Sequence, residues 1–572
     1  MCGIVLVSGP GSENRVRRGL ARLRYRGYDS YGFGWVSDTG LDDWRSTEDL
    51  DDMVETLPAS TLALGHTRWA THGGVTVENA HPHRSQRGAF LLVHNGIVEN
   101  AAALSVAAGL DWRGGDSDTA LVVRLIDRQL DRGVILQEAL ASVFADIEGR
   151  NALVVLADCG TAFAIRHGSP LLAGRGAGHA YLASDALSIA PFADECQPLP
   201  EGTVCSLEPG ESFTGLRDHW QPITASAEDL ELEGHSHYMI KEIMEQWQTI
   251  PRQFQVDQAG FDEFAALVRQ KGRLLVTGAG GAAITAGHIA HAIRQETGLM
   301  VIDAPAYDIG SWLPLAQKGD PLLAVSQSGE TADTLAAVEA AKTRGLIIAS
   351  LTNMPHAGLP AASAFAFANH CGPEVCVLST KSATAQMAFG ARLTRRLAGA
   401  DAFPADQLAT ELSQYLDDSL SERVKPVAAA VAGRDHLYVL GQGAHLWSAR
   451  MAALNIKEAS YIHAEAFSTG ELKHGVIALI EPGTPVVVFD HGGLTDNAVA
   501  EVSARGAVVI AISNRVVPGA TWHLPLAGGC DDPLGAGIAD IIPGQLLAYH
   551  LALSRGLNPD RPRNLAKSVT VM

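Results

Sequence analysis

The sequence has few of the residues that mark several classes of protein. Its 572 residues include 7 cysteines and no CxxC pair, so we expect neither a disulfide framework nor a zinc site. No run reaches the roughly 18 apolar residues that a membrane span needs. The N-terminus also lacks the basic start and apolar stretch of a signal peptide. We therefore predict a cytoplasmic protein without a membrane partner.

Positive charge is also scarce. Lys and Arg number 43 against 63 Asp and Glu, which gives a formal net charge of −20. A surface this acidic repels a phosphate backbone over most of its area, so we expect no nucleic-acid partner. An anionic ligand would have to be held locally, by helix N-termini and a few placed Lys or Arg side chains.

The length of the chain and the changes in its residue pattern predict several domains. At roughly 100 to 200 residues each, the length corresponds to about three to five folded units. Short β-rich runs broken by polar turns predict one α+β domain over residues 2–212. A polar, acidic stretch follows, and we interpret residues 213–242 as a linker. From about Gly272, short apolar runs alternate with longer helical patterns, which is typical of a parallel sheet covered by helices.

The second half of the chain repeats itself. Three pairs of segments resemble each other at offsets of about 161 to 164 residues: 272–280 with 433–443, 321–331 with 485–495, and 344–353 with 505–514. The repeat predicts two doubly wound α/β domains, residues 243–400 and 410–555, followed by a C-terminal tail, 556–572. The copies differ where the first has Ser326, Gln327 and Ser328 and the second has Asp490, His491 and Gly492.

Cys2 combines two features of a nucleophile. It directly follows Met1, and its small side chain is compatible with removal of that residue, which would leave a thiol and a free α-amino group together. The amino group, with a pKa near 7.7 to 8.0, could act as the base for the thiol. Taken alone, Cys2 is more typical of the start of a buried strand.

Three further segments have the composition of a glutamine site: GHTRWATH, VHNGIVEN and GDSDT. An amino acid presents a carboxylate, an ammonium and a carbonyl, which are matched by an Arg, a carboxylate and fixed N–H donors. Arg68, Asp118, and the Asn95 side chain with the Gly96 N–H could supply these groups. Each residue taken singly is more typical of a turn or a structural ion pair.

Together with MCGIV, LRYRGYDSYG and NAHPH, these segments resemble the class II, N-terminal-nucleophile glutamine amidotransferases, and more narrowly the glucosamine-6-phosphate synthase family. The resemblance implies an αββα sandwich in which Cys2 attacks the glutamine amide and releases glutamate and ammonia. It also implies an oxyanion hole at Asn95 and Gly96. The glutamine contacts that it implies are Arg68, Trp69, Thr71, His72, Gly96 and Asp118.

A cluster of hydroxyl groups follows a predicted strand in the second half. Ser326, Ser328 and Thr331 stand with Gln327 between the strand 322–325 and a predicted helix, 332–342. Hydroxyls and backbone N–H groups at a helix N-terminus can hold a phosphate with little net positive charge. A Ser or Thr cap is the ordinary alternative, but the cluster exceeds what capping requires.

The second half resembles the paired sugar isomerase domains of the same family, through HYMIKEI, SQSGETADTL, EVCVLSTK, NIKEASYIHAEAFSTGELKHG and PRNLAKSVTV. The resemblance implies that fructose 6-phosphate binds Ser326, Gln327, Ser328 and Thr331, with Ser379 near the sugar hydroxyls. It implies further that Glu458 moves a proton between C1 and C2, and that His474, from the neighbouring subunit of a homodimer, assists ring opening. Lys567 would lie at the carbonyl. No metal and no organic cofactor is implied.

Four positions depart from the pattern that the family usually carries. Ala279 and Gly280 stand where the family has two hydroxyl residues, Asn455 where it has Lys, and Met572 where it has Glu. Losing a charge-assisted contact at the reacting centre can cost about 1.5 to 3 kcal/mol. The substrate or the isomerisation step could therefore differ.

Our main interpretation is a glutamine-dependent enzyme that converts fructose 6-phosphate to glucosamine 6-phosphate. A paralogue that aminates another sugar phosphate, without isomerisation, is the first alternative. The second is a sugar-phosphate-binding regulatory protein whose synthase chemistry has lapsed. The presence of Cys2, Asn95, Glu458 and Lys567 argues against the second.

Overall fold

A computed structural model describes residues 2–53, 56–70, 73–112, 115–208, 212–223, 231–355, 357–401, 404–490, 492–526 and 533–570. The chain forms two compact units. The first comprises residues 1–231 and 566–572, and the second comprises residues 232–565. The last residues of the chain therefore belong to the same unit as its first residues.

The first unit is built on antiparallel strands. They are β1 Gly3–Ser8, β2 Ser30–Ser37, β3 Gly40–Ser46, β4 Leu62–Arg68, β5 His83–Arg84, β6 Phe90–Gly96, β7 Asn151–Ala157, β8 Ala162–His167, β9 Leu172–Gly176, β10 His179–Ala183, β11 Glu195–Pro198, β12 Cys205–Glu208, β13 Ser212–Thr214 and β14 Gln221–Pro222. The helices are α1 Ser12–Arg22, α2 Ala101–Ala108, α3 Asp118–Asp131 and α4 Leu136–Asp146.

These strands form two sheets that pack face to face. One has the order β14-β11-β9-β10-β1-β4-β2-β3 and the other β13-β12-β8-β7-β6-β5. Side chains alternate along β1: Ile4 and Leu6 point into a core shared with β6 and β7, while Val5 and Val7 pack against α1. The outer face of the second sheet is covered by α3 and α4. The layers therefore run helix, sheet, sheet, helix, because each sheet is apolar on both faces.

The second unit consists of two parallel sheets and their helices. The elements of its first lobe are α5 Tyr238–Met244, α6 Gln246–Gln255, α7 Phe261–Lys271, β15 Arg273–Gly278, α8 Gly281–Thr297, β16 Met300–Pro305, β17 Pro321–Ser326, α9 Ala332–Thr343, β18 Ile347–Thr352, α10 Gly358–Ala361, β19 Phe365–Ala368 and α11 Lys381–Ala398. Those of its second lobe are α12 Ala405–Tyr415, α13 Asp418–Val431, β20 His436–Gly441, α14 His445–Ser460, β21 His463–Ser468, β22 Pro485–Asp490, α15 Asp496–Ser503, β23 Val508–Ser513, β24 Trp522–Leu524, α16 Pro533–Ala539 and α17 Ile541–Ser554.

The two lobes have the same topology. Their strand orders are β16-β15-β17-β18-β19 and β21-β20-β22-β23-β24, and neighbouring strands are parallel. In each sheet the order reverses beside the first strand, which creates a crevice at the carboxyl ends of the strands where ligands bind in doubly wound folds. The prediction of two doubly wound α/β folds is confirmed, and helices of both lobes contribute to one shared core.

The segment predicted as a linker, residues 213–242, has structure at both ends. It contains β14, which pairs with β11 of the first unit, and the first residues of α5. The reason is apolar burial, since Met239 and Ile243 lie in the core of the second unit. Among the helices that the structure describes, none has both the length and the apolar character needed to cross a bilayer.

Candidate active site

Cys2 lies at the start of the central strand β1, within reach of two predicted site residues. Its sulfur accepts a hydrogen bond from the backbone N–H of Trp69 at 3.3 Å. Its carbonyl oxygen accepts hydrogen bonds from Asn95 Nδ2 at 3.0 Å and from Arg26 Nε at 3.3 Å. Burial raises the pKa of the Cys2 thiol, while the N–H of Trp69 and the charge of Arg68 act in the opposite direction. The ends of β4 and β6 thus meet at Cys2, directly before β1.

Asn95 and Gly96 end β6, and the backbone at Gly96 requires glycine. Its φ is +146°, and a Cβ there would lie 2.4 Å from the carbonyl oxygen of Arg150. The Asn95 side chain is buried, and within the described part of the chain its Oδ1 has no hydrogen-bond partner. The amide that the sequence assigns to an oxyanion hole is therefore beside Cys2, held there by its bond to the Cys2 carbonyl.

Arg68 and Asp118 are buried charged groups of the same site. Arg68 donates from Nη1 to the carbonyl oxygen of Gly74 at 3.1 Å. Burial lowers the pKa of Arg68, and the charges of Cys2 and Asp118 oppose that change, so the three groups lie within electrostatic range. Asp118 begins α3 and accepts the N–H of Val98 at 2.9 Å. Thr71 and His72, which were also predicted to bind glutamine, lie outside the described residues.

The sequence analysis did not assign roles to the turn that supports this site. Arg26 is buried and pairs with Asp185 at 3.1 Å, which places its guanidinium against the Cys2 carbonyl. Gly27 lies so close to β4 that a Cβ would come within 2.8 Å of the Arg68 carbonyl carbon. Asp29 accepts the N–H of Ala70 at 2.8 Å. Arg26, Gly27 and Asp29 belong to the LRYRGYDSYG motif, which the sequence identified as part of the family resemblance. Their contacts could not be predicted from the motif, because they join residues far apart in the chain.

Four histidines form a buried cluster next to the site. His66 Nε2 lies 3.1 Å from His81 Nδ1 and 3.1 Å from the His94 carbonyl oxygen. His94 contacts Thr119 and Asn151 through its two ring nitrogens, at 3.0 and 2.8 Å. Burial lowers the pKa of His66 and of His83 to about 3. Both of these rings are therefore neutral at physiological pH.

In the second unit, the predicted phosphate cradle is assembled as a tight turn between β17 and α9. Ser326 Oγ accepts the N–H of Gly329 at 3.0 Å and lies 3.3 Å from Thr331 Oγ1. Ser328 Oγ accepts the N–H of Glu330 at 3.2 Å. Thr331 is the N-cap residue of α9, but its side chain makes no capping hydrogen bond. Capping therefore does not account for this hydroxyl.

Ser379 lies opposite the start of α8 and beside α14. A Cβ at Gly281 would be 3.2 Å from Ser379 Oγ and 3.8 Å from the Met451 methyl group. One turn after Met451, Asn455 is fully buried, and neither polar atom of its amide has a partner within the described residues. Glu458 follows on the same helix and is half-buried. The predicted proton-transfer helix therefore runs past Ser379.

Two further predicted residues are His474 and Lys567. His474 is exposed after β21, at the end of a short 3₁₀ turn. Lys567 belongs to the first unit, where its N–H donates to the carbonyl oxygen of Tyr25 at 3.4 Å. Among the described residues, no group of three or more His, Cys, Asp or Glu side chains is arranged to hold a metal ion.

The second lobe has a carboxylate where the first lobe has its cradle. Asp490 ends β22 and is fully buried. It accepts hydrogen bonds from Thr495 Oγ1 at 2.6 Å, Ser513 Oγ at 3.3 Å and Arg515 Nε at 2.9 Å. Burial alone would raise the pKa of Asp490, but the bonds from Thr495 and Arg515 outweigh it and lower the pKa. This pairing was not predicted from the sequence.

Known proteins resemble both the second unit by itself and the chain as a whole. A family model described as "SIS domain" matches residues 267–394 and 431–555. The chain is 34% identical to the glutamine–fructose-6-phosphate aminotransferase (isomerizing) of Geobacillus kaustophilus, and 35% identical to that of Zymomonas mobilis. Both matches cover 100% of each chain. The chain belongs to the glutamine–fructose-6-phosphate aminotransferase (isomerizing) family.

A solved structure supports this assignment for the second unit of this aminotransferase family member. The C-terminal domain of glucosamine-fructose-6-phosphate aminotransferase from Francisella tularensis matches with a TM-score of 0.51 and 27% identity, over 58% of this chain and 100% of that chain. The resemblance drawn from the sequence motifs is therefore confirmed.

Proposed function

We propose that the protein transfers the amide nitrogen of glutamine to fructose 6-phosphate and isomerises the product to glucosamine 6-phosphate. The observation that carries the proposal is the contact of the Cys2 sulfur with the Trp69 N–H. Arg68, Asp118 and Asn95 lie around it, in a chain whose other unit has a hydroxyl cradle. The helix–sheet–sheet–helix unit supports a glutaminase domain of the N-terminal-nucleophile type.

In the glutaminase half, the chemistry begins at the Cys2 sulfur. Its thiolate adds to the amide carbon of glutamine, and N–H donors from Asn95 and Gly96 stabilise the oxyanion. The α-amino group gives the departing nitrogen the proton that it took from the thiol, so that ammonia leaves as the carbonyl reforms. Water then hydrolyses the resulting thioester to glutamate. Arg68 would bind the substrate carboxylate and Asp118 its ammonium group, with Trp69, Thr71 and His72 completing the site.

In the sugar half, one carboxylate can carry the isomerisation. Ammonia adds to the C2 carbonyl of the opened sugar and water leaves, which gives an imine. Glu458 takes the proton from C1 while the imine nitrogen gains a proton. It then returns the C1 proton to C2 while the C1 hydroxyl loses its proton, so that C1 becomes the aldehyde and C2 carries the amine. Ser326, Gln327, Ser328 and Thr331 would hold the phosphate, with Ser379 at the hydroxyls.

The proposal also includes the domain boundaries, the oligomeric state and the expected partners. The glutaminase domain would span residues 2–212, and the isomerase domains 243–400 and 410–555, with the tail 556–572 contributing Lys567. His474 would act in the neighbouring subunit of a homodimer. The reaction is redox-neutral overall, so no redox cofactor is expected, and the net charge of −20 argues against a nucleic-acid partner.

The test is product analysis of the purified full chain with glutamine and fructose 6-phosphate. We expect both glutamate and glucosamine 6-phosphate to form, with glutamate in excess. A matched Cys2→Ala variant supplied with an ammonium salt should still form the amino sugar, because only the nitrogen source is removed. Glutamate without any amino sugar, with a panel of ketose and aldose phosphates, would contradict the proposal.

A further inference from the structure

The loop that carries Ser379 is held by two buried carboxylates. Glu374 begins the loop and Glu242 comes from α5, and both side chains are only 2% exposed. The loop ends at α11, whose N-terminal N–H groups point toward it. Ser379 lies between Cys376 and Thr380, and both of these residues have a backbone N–H bound by one of the two carboxylates.

Glu374 closes the loop onto the first turn of α11. Its Oε1 accepts the N–H of Thr380 at 3.0 Å and the N–H of Ser382 at 2.9 Å. Its Oε2 accepts the hydroxyl of Ser382 at 2.7 Å. A carboxylate at a helix N-terminus is stabilised both by these bonds and by the helix dipole. The residue that follows Ser379 is therefore fixed through its backbone.

Glu242 holds the other side of the same loop. Its Oε1 accepts the N–H groups of Val375 and Cys376, the latter at 3.0 Å. Its Oε2 lies 3.1 Å from Thr380 Oγ1. On the next helix layer, Gln545 of α17 donates to the Thr380 carbonyl oxygen at 3.2 Å. Thr380 is thus bound at its N–H, its carbonyl and its hydroxyl.

The Thr380 hydroxyl contacts both carboxylates. It lies 3.1 Å from Glu242 Oε2 and 3.1 Å from Glu374 Oε1. A hydroxyl has one proton, so it can donate to only one of the two acceptors. A proton on one carboxyl group would satisfy the second contact, since that group could then donate to the hydroxyl oxygen.

We propose that Glu242 and Glu374 are positioning residues that hold Ser379 toward the sugar through Thr380, and that the pair carries one proton. The first part rests on the proposed function, because it takes Ser379 as a sugar contact. The proton makes Glu242→Gln a conservative change: the glutamine carbonyl accepts the N–H groups of Val375 and Cys376, and its amide donates to Thr380 Oγ1.

The test compares isosteric and truncating variants of the full chain. Glu242→Ala and Thr380→Val should each raise KM for fructose 6-phosphate about tenfold, which corresponds to about 1.4 kcal/mol. Thr380→Ser and Glu242→Gln should stay within about twofold of the original KM. Glutamine hydrolysis measured without sugar should not change in any of them, because the affected residues lie in the second unit.

Hydrogen exchange gives a readout that does not depend on catalysis. The N–H groups of Val375, Cys376, Thr380 and Ser382 should exchange at least about tenfold faster in Glu242→Ala and Thr380→Val. Unchanged exchange and unchanged KM in Thr380→Val would overturn the positioning role. Damage in Glu242→Gln equal to that in Glu242→Ala would overturn the shared proton. If the unmodified chain forms no amino sugar, the proposed function fails, and the exchange data still decide whether the two carboxylates order the loop.

Discussion

At the scale of single residues, the first prediction concerns Cys2 as the nucleophile of glutamine hydrolysis. Cys2→Ala should lower glutamate formation by at least about a thousandfold while the fold is kept, because the sulfur forms the covalent bond to the substrate. The measurement is glutamate release by the purified variant. Cys159→Ala is the matched control, since Cys159 is an exposed free cysteine and should be dispensable. An active preparation that retains Met1 in intact-mass data would contradict the assignment of Cys2 as the mature N-terminus.

Asn455 gives the second prediction. A buried amide with neither polar atom paired costs roughly 1 to 3 kcal/mol, and a nearly isosteric leucine removes that cost. Asn455 is one turn from Met451, which lies beside the Ser379 region, so we expect the amide to contact the sugar. Asn455→Leu should therefore raise the thermal midpoint and also raise KM for fructose 6-phosphate.

The companion variant is Asn455→Lys, which restores the charge that the family usually carries. We expect amino-sugar formation by the unmodified chain to be slower than glutamine hydrolysis, and Asn455→Lys to reduce that difference. Gly280→Ser should not be combined with it, because Gly280 has a φ of +56°, which strains any other residue. An unchanged KM in Asn455→Leu would show the amide to be structural only.

Most residues of the candidate site could be predicted from their types and motifs. The residues that hold them in place could not. Cys2, Trp69 and Asn95 were predicted, and the structure brings them into contact. The ion pair of Arg26 with Asp185 was missed, since 159 residues separate the partners. Such a pairing depends on the order of strands in the sheet, which no local pattern determines.

At the scale of elements, the histidine cluster on β4, β5 and β6 makes stability depend on pH. The pKa values of His66 and His83 are lowered to about 3 by burial, whereas an unfolded histidine has a pKa near 6.5. The unfolded chain therefore binds more protons below pH 6.5, and the contribution of the two groups is lost as pH falls through that value toward 3.

The expected loss for these two histidines approaches about 2.7 kcal/mol per pH unit once the pH is well below 6.5. Urea unfolding of the first unit at pH 7.5 and pH 5.5 measures it. His83→Asn should reduce the difference, and His167→Asn, at an exposed position, should not. An equal pH dependence in all three proteins would contradict the prediction.

The two crevices of the second unit give the fourth prediction. Asp490 already places a carboxylate among Thr495, Ser513 and Arg515, so a phosphate would meet a fixed negative charge there. Ser328→Ala/Thr331→Ala should weaken binding of fructose 6-phosphate, and Asp490→Asn should not. Calorimetry should give one sugar phosphate per chain. A second site that is lost in Asp490→Asn would contradict this.

The strands and helices around these crevices were predicted more accurately than their arrangement. The expected helix 332–342 is α9, Ala332–Thr343, because a hydroxyl-rich start and an alanine-rich interior mark a helix locally. The repeat also predicted two similar lobes. The bond between Asp490 and Arg515 was not predicted, since it joins the ends of two strands and depends on their parallel register.

At the scale of the whole molecule, the C-terminal tail has residues in both compact units. Residues up to 565 belong to the second unit, and residues 566–572 to the first. In the second unit, Asp560 accepts the N–H groups of Tyr238 and Met239 at 2.8 and 2.7 Å. In the first unit, Lys567 binds the Tyr25 carbonyl, next to the arginine that contacts Cys2. One short segment is thus anchored in both units.

This course of the tail leads to the last prediction. If sugar binding orders the tail around Lys567, fructose 6-phosphate should raise glutamine turnover, since ordering a segment at one site can complete another. Asp560→Asn should weaken the anchor on α5 and reduce the stimulation, while the sugar-independent rate stays the same. Glutamate release with and without fructose 6-phosphate measures both.

Asp308→Asn is the matched control, because Asp308 is an exposed aspartate of the second unit and its replacement should leave the stimulation intact. Equal glutaminase rates with and without sugar phosphate in the unmodified chain would show that the two sites work independently.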